Sequence, residues 1–214
     1  MSVFDPLSYE SLGKSIIQAL EEQQVEELAG LKKFDGAGVY ALYYYGKFKP
    51  YTLLATKNAV APGSWPIYIG KAEASKSRKG FAVASEEELG DKLYKRIMDH
   101  KKSIEQAENL DVQDFQVRYL SVAPTWVPLA ETIALSVHQP VWNVVIDGLG
   151  NHAPGSGRSA MKRPKWDIVH PGRPWAAKLR IEGEARAEII NKAKEHLAKG
   201  QNELLLSSKG DLET

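Results

Sequence analysis

The stretches GVYALYYY (38–45) and PIYIG (66–70) decide the fold of this chain. Both are rich in β-branched and aromatic residues, a composition typical of strands, and Gly70 closes the second one. A third stretch of the same kind, FQVRYLSV (115–122), predicts a further strand. We therefore expect an α+β fold with a small antiparallel three-stranded sheet flanked by helices.

Helices are predicted where apolar residues recur at helical spacing. The predicted helices cover residues 8–29, 85–106, 125–139 and, with a possible interruption at Gly183, 176–199. Ser85 and the acidic residues after it suit a helix N-terminus, and Pro140 ends the third helix. This arrangement surrounds the sheet with helical segments.

The chain is expected to form one compact domain with additions at both ends. Its parts are an N-terminal helical extension at 1–34, a core at 35–146, and a basic loop with a helical extension at 147–214. Insertions at 46–66 and 71–84 interrupt the core, and the first holds a possible short strand at Tyr51–Ala55. Residues 147–175 are rich in Gly, Pro and basic residues, which predicts a long loop.

Composition excludes several classes of protein. The 214 residues carry 28 Lys+Arg, 27 Asp+Glu and no Cys, which excludes a disulfide framework, a cysteine zinc site and a thiol nucleophile. No apolar run approaches the roughly 18 residues of a membrane span, so no membrane partner is expected. The N-terminal stretch lacks the apolar segment of a signal peptide, which predicts a cytoplasmic protein.

The basic charge is concentrated in residues 147–180, which hold seven Lys+Arg against two acidic residues. Such a segment is typical of a polyanion-binding face, and a solvated basic loop has the same composition. The sequence has no GxxxxGK[ST] loop, no GxGxxG after a strand and no HExxH. Nucleotide hydrolysis, a nucleotide cofactor and zinc proteolysis are therefore not expected.

Polar residues attached to the predicted elements form a candidate site. If the first two strands pair, the hydroxyls of Tyr40 and Tyr68 lie near each other. Arg96 and His100 are four residues apart on a helix and share one face. Glu131 lies in an apolar stretch, where a carboxylate is costly to bury unless it is paired or holds a metal.

Together these residues resemble the GIY-YIG nuclease family. The resemblance spans about residues 36–145 and rests, in chain order, on GVY (38–40), YIGK (68–71), Arg96, His100, Glu131, and Asn143 after Pro140. The two tyrosines are 28 residues apart, whereas compact members join these strands by a short turn. A short chain with additions around one domain is similar to the type II restriction endonucleases of this family, especially the group that cuts CCGCGG.

The resemblance implies metal-dependent hydrolysis of DNA that leaves a 5′-phosphate and a 3′-hydroxyl. Glu131 would hold a single Mg²⁺, for which Mn²⁺ is a plausible substitute. Arg96 would neutralise charge on the phosphate in the transition state. Asn143 would fix the local geometry near the site.

The resemblance leaves the general base open between two tyrosines. A tyrosine titrates near 10, so Tyr40 or Tyr68 would need a cationic neighbour, His100 or Lys71, to act near neutral pH. His100 would relay the proton or orient the tyrosine. The residues alone do not separate these assignments.

Double-stranded DNA is the expected partner. Candidate DNA-binding residues are Lys76, Arg78, Lys79, Lys92, Arg158, Lys162, Arg163 and Arg173. Lys92 would contact phosphate, whereas arginines of the basic loop would donate to guanine in a GC-rich site. A palindromic site has two strands to cut, which predicts a homodimer with two-fold symmetry.

Two alternatives remain beside a restriction endonuclease. One is a structure-specific or repair nuclease of the same family, which recognises DNA shape rather than sequence. The other is a catalytically silent DNA-binding protein on a nuclease scaffold. The pattern of DNA fragments after digestion distinguishes the repair nuclease from a restriction endonuclease. The effect of Glu131→Gln distinguishes the silent DNA-binding protein from both nucleases.

Overall fold

A computed structural model of the protein describes residues 8–73, 90–154 and 161–200. The strands are β1 (Glu26–Glu27), β2 (Gly38–Tyr44), β3 (Pro66–Ala72) and β4 (Phe115–Ser121). The helices are α1 (Tyr9–Glu21), α2 (Thr52–Val60), α3 (Lys92–Gln106), α4 (Val127–His138), α5 (Val141–Val144), α6 (Lys165–Val169), α7 (Pro174–Ala177) and α8 (Arg186–Lys199). None of the helices in these ranges is long and apolar enough to span a bilayer.

The sheet is antiparallel and has the strand order β1-β4-β2-β3, which confirms the α+β class. It has four strands rather than the predicted three. The additional strand, β1, lies within the predicted helix 8–29, which ends at Glu21 instead. Pairing along the edge of β4 explains the difference, because Leu28 N–H donates to Phe115 O at 3.0 Å and the Tyr119 hydroxyl donates to Glu26 at 2.8 Å.

The insertion between β2 and β3 contains a helix, so the predicted short strand at 51–55 is wrong. Leu54 and Asn58, one turn apart on α2, are both buried. The Asn58 side chain accepts from Trp65 N–H and donates to Trp65 O, both at 2.9 Å, and donates to Tyr44 O at 3.2 Å. These bonds fasten α2 to Tyr44 at the end of β2 and to Trp65 directly before β3.

Alternate residues of β2 point to opposite sides of the sheet. Tyr40, Leu42 and Tyr44 belong to the main core cluster, which also includes the buried face of α3. Val39 and Ala41 belong to smaller clusters with residues of α1 and α4. The strand period therefore directs Tyr40 toward the helix that carries Arg96 and His100.

The described part of the C-terminal region contains helices that its composition did not predict. Residues 147–175, predicted as a long loop, include α6 and the start of α7. The last helix begins at Arg186 rather than at 176, and Ile189, Ala193 and Leu197 bury its inner face in the main core. The predicted helix start at Ser85 lies outside the described residues, within which α3 begins at Lys92.

Candidate active site

A buried tyrosine–histidine pair lies at the centre of the site. The Tyr40 hydroxyl is 2.5 Å from Nε2 of His100, and the two residues are 0% and 1% exposed. Tyr40 lies opposite Gly70 in the β2–β3 pairing. A Cβ at Gly70 would lie 2.4 Å from the Tyr40 hydroxyl, so the residue that closes the second tyrosine motif makes room for the first tyrosine.

Burial sets the protonation of this pair. It raises the pKa of Tyr40 well above its usual value near 10 and lowers the pKa of His100 well below 6.5. At neutral pH the hydroxyl therefore donates to a neutral imidazole, and His100 does not supply the positive charge expected of it. Arg96 supplies that charge, because its guanidinium lowers the pKa of both Tyr40 and Tyr68 against the larger effect of burial.

An open polar cleft of about 630 Å³ lies beside this pair. It is lined by Tyr68, Lys71, Ala72, Glu73, Lys92, Lys95, Arg96, Asp99 and Glu131. Tyr68 connects the cleft to the pair, since its ring centroid lies 4.9 Å from that of His100 and 6.2 Å from that of Tyr40. The cleft thus brings together four of the predicted catalytic and metal-binding residues on three elements, β3, α3 and α4.

Glu131 extends from α4 into the cleft with its side chain 23% exposed. The Lys71 ammonium lies 3.3 Å from its Oε2 and 2.9 Å from Oε1 of Glu73. The hydrogen bond that Lys71 donates to Glu73 raises the pKa of Lys71, so this side chain is cationic at neutral pH. The apolar neighbours of Glu131 in sequence therefore do not bury its carboxylate, which faces solvent and a lysine.

Glu131 suits a hard divalent cation. Carboxylate oxygen is the ligand type that Mg²⁺ prefers, and an exposed cleft leaves room for the waters that Mg²⁺ usually keeps. Within the described ranges, no group of three or more His, Asp, Glu or Cys side chains is arranged to hold a metal ion. The donor set therefore fits a single-carboxylate site completed by water and phosphate oxygens, and it does not fit an all-protein cage.

Asn143, on α5, holds the backbone of the second tyrosine strand. Its Oδ1 accepts from Ile69 N–H at 2.9 Å, and its Nδ2 donates to Ile69 O at 2.8 Å. Ile69 directly follows Tyr68, so these two bonds fix the position of that tyrosine. Asn143 thus contacts the strand rather than the cleft.

The predicted DNA-binding residues have different surroundings. Lys92 lines the cleft, and Lys162 is exposed with Glu182 at 3.2 Å. The Arg163 guanidinium donates from Nε and Nη2 to the backbone carbonyls of Ala176, Ala177 and Leu179. Four further candidates, Lys76, Arg78, Lys79 and Arg158, lie outside the described residues.

The prediction that Arg173 reads bases is contradicted by its position. Arg173 is 1% exposed and forms an ion pair with Asp167, which is 2% exposed. Its Nε donates to Oδ1 of Asp167 at 2.6 Å, its Nη2 donates to Oδ2, and Nη1 and Nη2 also donate to backbone carbonyls. A sequence places Arg173 in a basic segment, but it does not reveal that a carboxylate six residues earlier pairs with it.

Two residues near Arg96 were missed by the sequence analysis. Nε2 of His152 lies 3.1 Å from Nη1 of Arg96, and the Gly150 carbonyl lies 3.4 Å from Nη2. His152 has no motif spacing to another histidine, so it carries no local signal. The Gly148-Leu149-Gly150 triplet is a weak indication of a close backbone approach.

The antiparallel sheet, with one tyrosine from each of two adjacent strands beside an Arg/His helix and a Glu helix, has the architecture of a GIY-YIG domain. The family model of the Eco29kI GIY-YIG domain matches residues 32–197, more than three quarters of the chain. The chain therefore belongs to this family of GIY-YIG restriction endonucleases, which confirms the resemblance. No curated protein matches the chain.

Family membership defines the activity in coarse terms. The chain is an endonuclease domain whose substrate is DNA, and GIY-YIG nucleases generally use a divalent metal ion. Eco29kI itself cuts CCGCGG.

Proposed function

We propose that this chain is a type II restriction endonuclease that cuts DNA at a palindromic, GC-rich site and leaves 5′-phosphate and 3′-hydroxyl ends. The observation that supports this best is the Tyr40–His100 pair beside a cleft that holds Arg96 and Glu131. Hydrolysis of a phosphodiester requires a proton acceptor for water and stabilisation of charge on the phosphate and the leaving oxygen. The Tyr40–His100 pair can supply the proton acceptor, and Arg96 with a metal ion on Glu131 can stabilise the charge.

Tyr40 is the proposed general base. A tyrosine with a raised pKa takes a proton from water only if its own proton can leave, and the neutral Nε2 of His100 is 2.5 Å away. The water proton passes to the Tyr40 oxygen as the Tyr40 proton passes to His100, which becomes an imidazolium. The positive charge of Arg96 favours this step, because it lowers the pKa of the Tyr40 hydroxyl.

Tyr68, Arg96 and Lys71 would act on the phosphate side. The Arg96 guanidinium offers a planar set of donors that matches phosphate oxygens. Tyr68 lines the cleft with its ring centroid 6.2 Å from that of Tyr40, so it would orient the attacking water. Lys71 would balance the charge of Glu131 and Glu73 before the substrate arrives.

Glu131 would hold Mg²⁺, with Mn²⁺ as a substitute. Bound there, the metal ion supplies positive charge to the phosphate and the leaving oxygen. Glu131 on α4 and Arg96 on α3 both line the cleft, so the metal ligand and the phosphate-binding guanidinium come from different helices.

DNA recognition requires more surface than the cleft. We propose that Lys92 and the exposed Lys162 contact phosphate, and that Arg163 and the four candidates outside the described residues also contact DNA. Two cleavage events at a palindrome suggest a homodimer. Each subunit would be one compact domain with its core at 35–146. We propose that the enzyme acts in the cytoplasm.

A digest of matched DNA substrates tests the proposal. One linear duplex contains a single CCGCGG site, the other differs only by an interchange of two bases in that site, and both are incubated with the protein and Mg²⁺. We expect cleavage of the first at the site, with ligatable 5′-phosphate ends. EDTA or Glu131→Gln should abolish cleavage, while Glu131→Gln should still bind the duplex in a gel-shift assay.

Each outcome has one consequence. Cleavage at another fixed sequence keeps the type II assignment and moves the site, which end mapping of a fully sequenced plasmid then identifies. Cutting at branched or damaged DNA alone supports the repair nuclease. Binding without cleavage in any metal ion contradicts the enzymatic proposal and supports a DNA-binding protein.

A further inference from the structure

The loop from Gly148 to His152 approaches the end of the Arg96 side chain. The His152 imidazole and the Gly150 carbonyl contact the two terminal nitrogens of the guanidinium, at 3.1 and 3.4 Å. A Cβ at Gly150 would lie 2.7 Å from Nη2 of Arg96 and 3.4 Å from the Tyr68 hydroxyl. The loop therefore packs against Arg96 as closely as glycine allows.

The backbone of the same loop also contacts the buried Asp167–Arg173 ion pair. Arg173 donates to the carbonyls of Gly148 and Leu149, both at 2.9 Å, while its other donors reach Asp167. A buried arginine with this number of partners is costly to displace, because loss of one partner leaves a desolvated charge. The loop thus has a fixed backbone on one side and Arg96 on the other.

We propose that His152 is a positioning residue for Arg96. This role rests on the proposed function. Arg96 is a long side chain, and holding its guanidinium in one orientation costs rotamer entropy. His152 accepts a hydrogen bond from one end of the guanidinium, and the Gly150 carbonyl accepts from the other. Both acceptors fix the orientation of the guanidinium at the cleft that Arg96 lines, and the Asp167–Arg173 pair holds the backbone of the loop that carries them.

Substitution of His152 tests the role of its acceptor nitrogen. His152→Ala should lower the single-turnover cleavage rate about tenfold to 10²-fold, since small misplacements of a catalytic group have effects of this size. His152→Gln should stay within about threefold of wild type, because the glutamine amide oxygen reaches a position similar to Nε2 and accepts the same bond. Equal rates for wild type and the Ala variant, or equal losses for Ala and Gln, would overturn the proposal.

Gly150→Ala separates positioning from stability. The added Cβ would meet the flexible end of Arg96 rather than backbone, so the unfolding midpoint should change by no more than about 2 °C. The cleavage rate should nevertheless fall at least about tenfold, because the displaced group is the one that binds phosphate. An unchanged rate, or a loss of rate explained by unfolding, would contradict the role of this loop.

A double substitution tests whether His152 acts through Arg96. In the Arg96→Lys background, His152→Ala should cost less than about threefold, because its hydrogen-bond partner is already removed. If the rate losses of the two single variants multiply in the double variant, His152 acts independently of Arg96. If Arg96→Lys retains the full rate, any loss in His152→Ala cannot act through Arg96 either. A wild-type protein that cuts no DNA overturns the proposed function and this role with it, whereas an active wild type with an equally active Ala variant overturns this role alone.

Discussion

Tyr40 and Tyr44 show how one residue type acquires different roles on the same face of a strand. Both side chains are buried in the main core. The Tyr44 hydroxyl accepts from Phe48 N–H at 2.9 Å, so it fixes a turn. The Tyr40 hydroxyl meets an imidazole, so it can exchange a proton.

Tyr40→Phe should therefore abolish most of the cleavage activity. We expect a loss of at least about 10²-fold in the single-turnover rate, the usual size of a general-base contribution. Tyr44→Phe, the matched control on the same strand and face, should remain within about threefold, and both variants should bind the duplex like wild type. A Tyr40→Phe enzyme that retains its rate while Tyr68→Phe loses it would transfer the role of base to Tyr68.

Asn143→Asp should damage the site without touching the cleft. The carboxylate cannot donate to Ile69 O and would place charge beside that carbonyl, so the free energy of unfolding should fall by about 1–3 kcal/mol. Displacement of Tyr68 should also lower the cleavage rate. Urea unfolding and single-turnover cleavage measure the two effects, and an unchanged unfolding midpoint would contradict the assigned contacts.

At the scale of elements, the sequence predicted the parts that local pattern determines. The strands β2, β3 and β4 and the helix α4 follow from composition, period and end signals, and they carry Tyr40, Tyr68 and Glu131. The helix α2 was missed because Leu54 and Asn58 give too short a pattern to identify one buried face. The strand β1 has two residues, so only the open edge of β4 determines it.

The same limit applies to the site. The proximity of Arg96 and His100 is predictable because four-residue spacing on a helix places them on one face. The contact between His152 and Arg96 joins positions 56 residues apart, and the burial of Arg173 depends on the Asp167 carboxylate. Neither arrangement has a local pattern, so both became visible only in the folded chain.

Asn58 joins α2 to Tyr44 of β2 and to Trp65 directly before β3, and its substitution tests the packing of this helix. Asn58→Ala would leave Trp65 N–H and two carbonyls without their side-chain partner in the core. We expect the free energy of unfolding to fall by about 2 kcal/mol or more. Thr56→Ala, an exposed change on the same helix, should cost no more than about 0.5 kcal/mol in the same denaturation series, and an equal cost for both would refute the role of Asn58.

At the scale of the whole molecule, the fold keeps three histidines neutral in different places. His100 lies in the site, while burial lowers the pKa of His170 to about 3 and that of His138 to about 4. Glu21 lies 3.6 Å from His138, but burial and the charge of Arg118 outweigh this neighbour, so the pair is not an ion pair at neutral pH. Proton uptake by unfolded histidines therefore opposes folding in acid.

His170 shows how the surrounding contacts suit a neutral ring. Its Nε2 accepts from the Tyr51 hydroxyl at 2.7 Å, and its Nδ1 donates to Oδ1 of Asn109 at 2.9 Å. The Tyr51 hydroxyl in turn accepts from the Trp142 indole at 2.8 Å. Each polar atom of the imidazole thus has a partner suited to the neutral ring. Protonation would make Nε2 a donor that faces the Tyr51 hydroxyl, which itself donates to Nε2 in the neutral ring.

Stability should consequently fall as the pH is lowered from about 7 to about 5. The folded-state pKa values lie below the unfolded value of 6.5, so the unfolded chain binds more protons in this window, and the stabilisation present above pH 6.5 is lost progressively toward pH 3. Each such histidine contributes a slope of up to about 1.4 kcal/mol per pH unit, and carboxylates near pKa 4 contribute little above pH about 5. Urea unfolding across this range should show a reduced slope for His170→Gln, even though that variant is less stable throughout. A wild-type stability that is flat between pH about 7 and about 5 would mean that these rings are not neutral and buried as described.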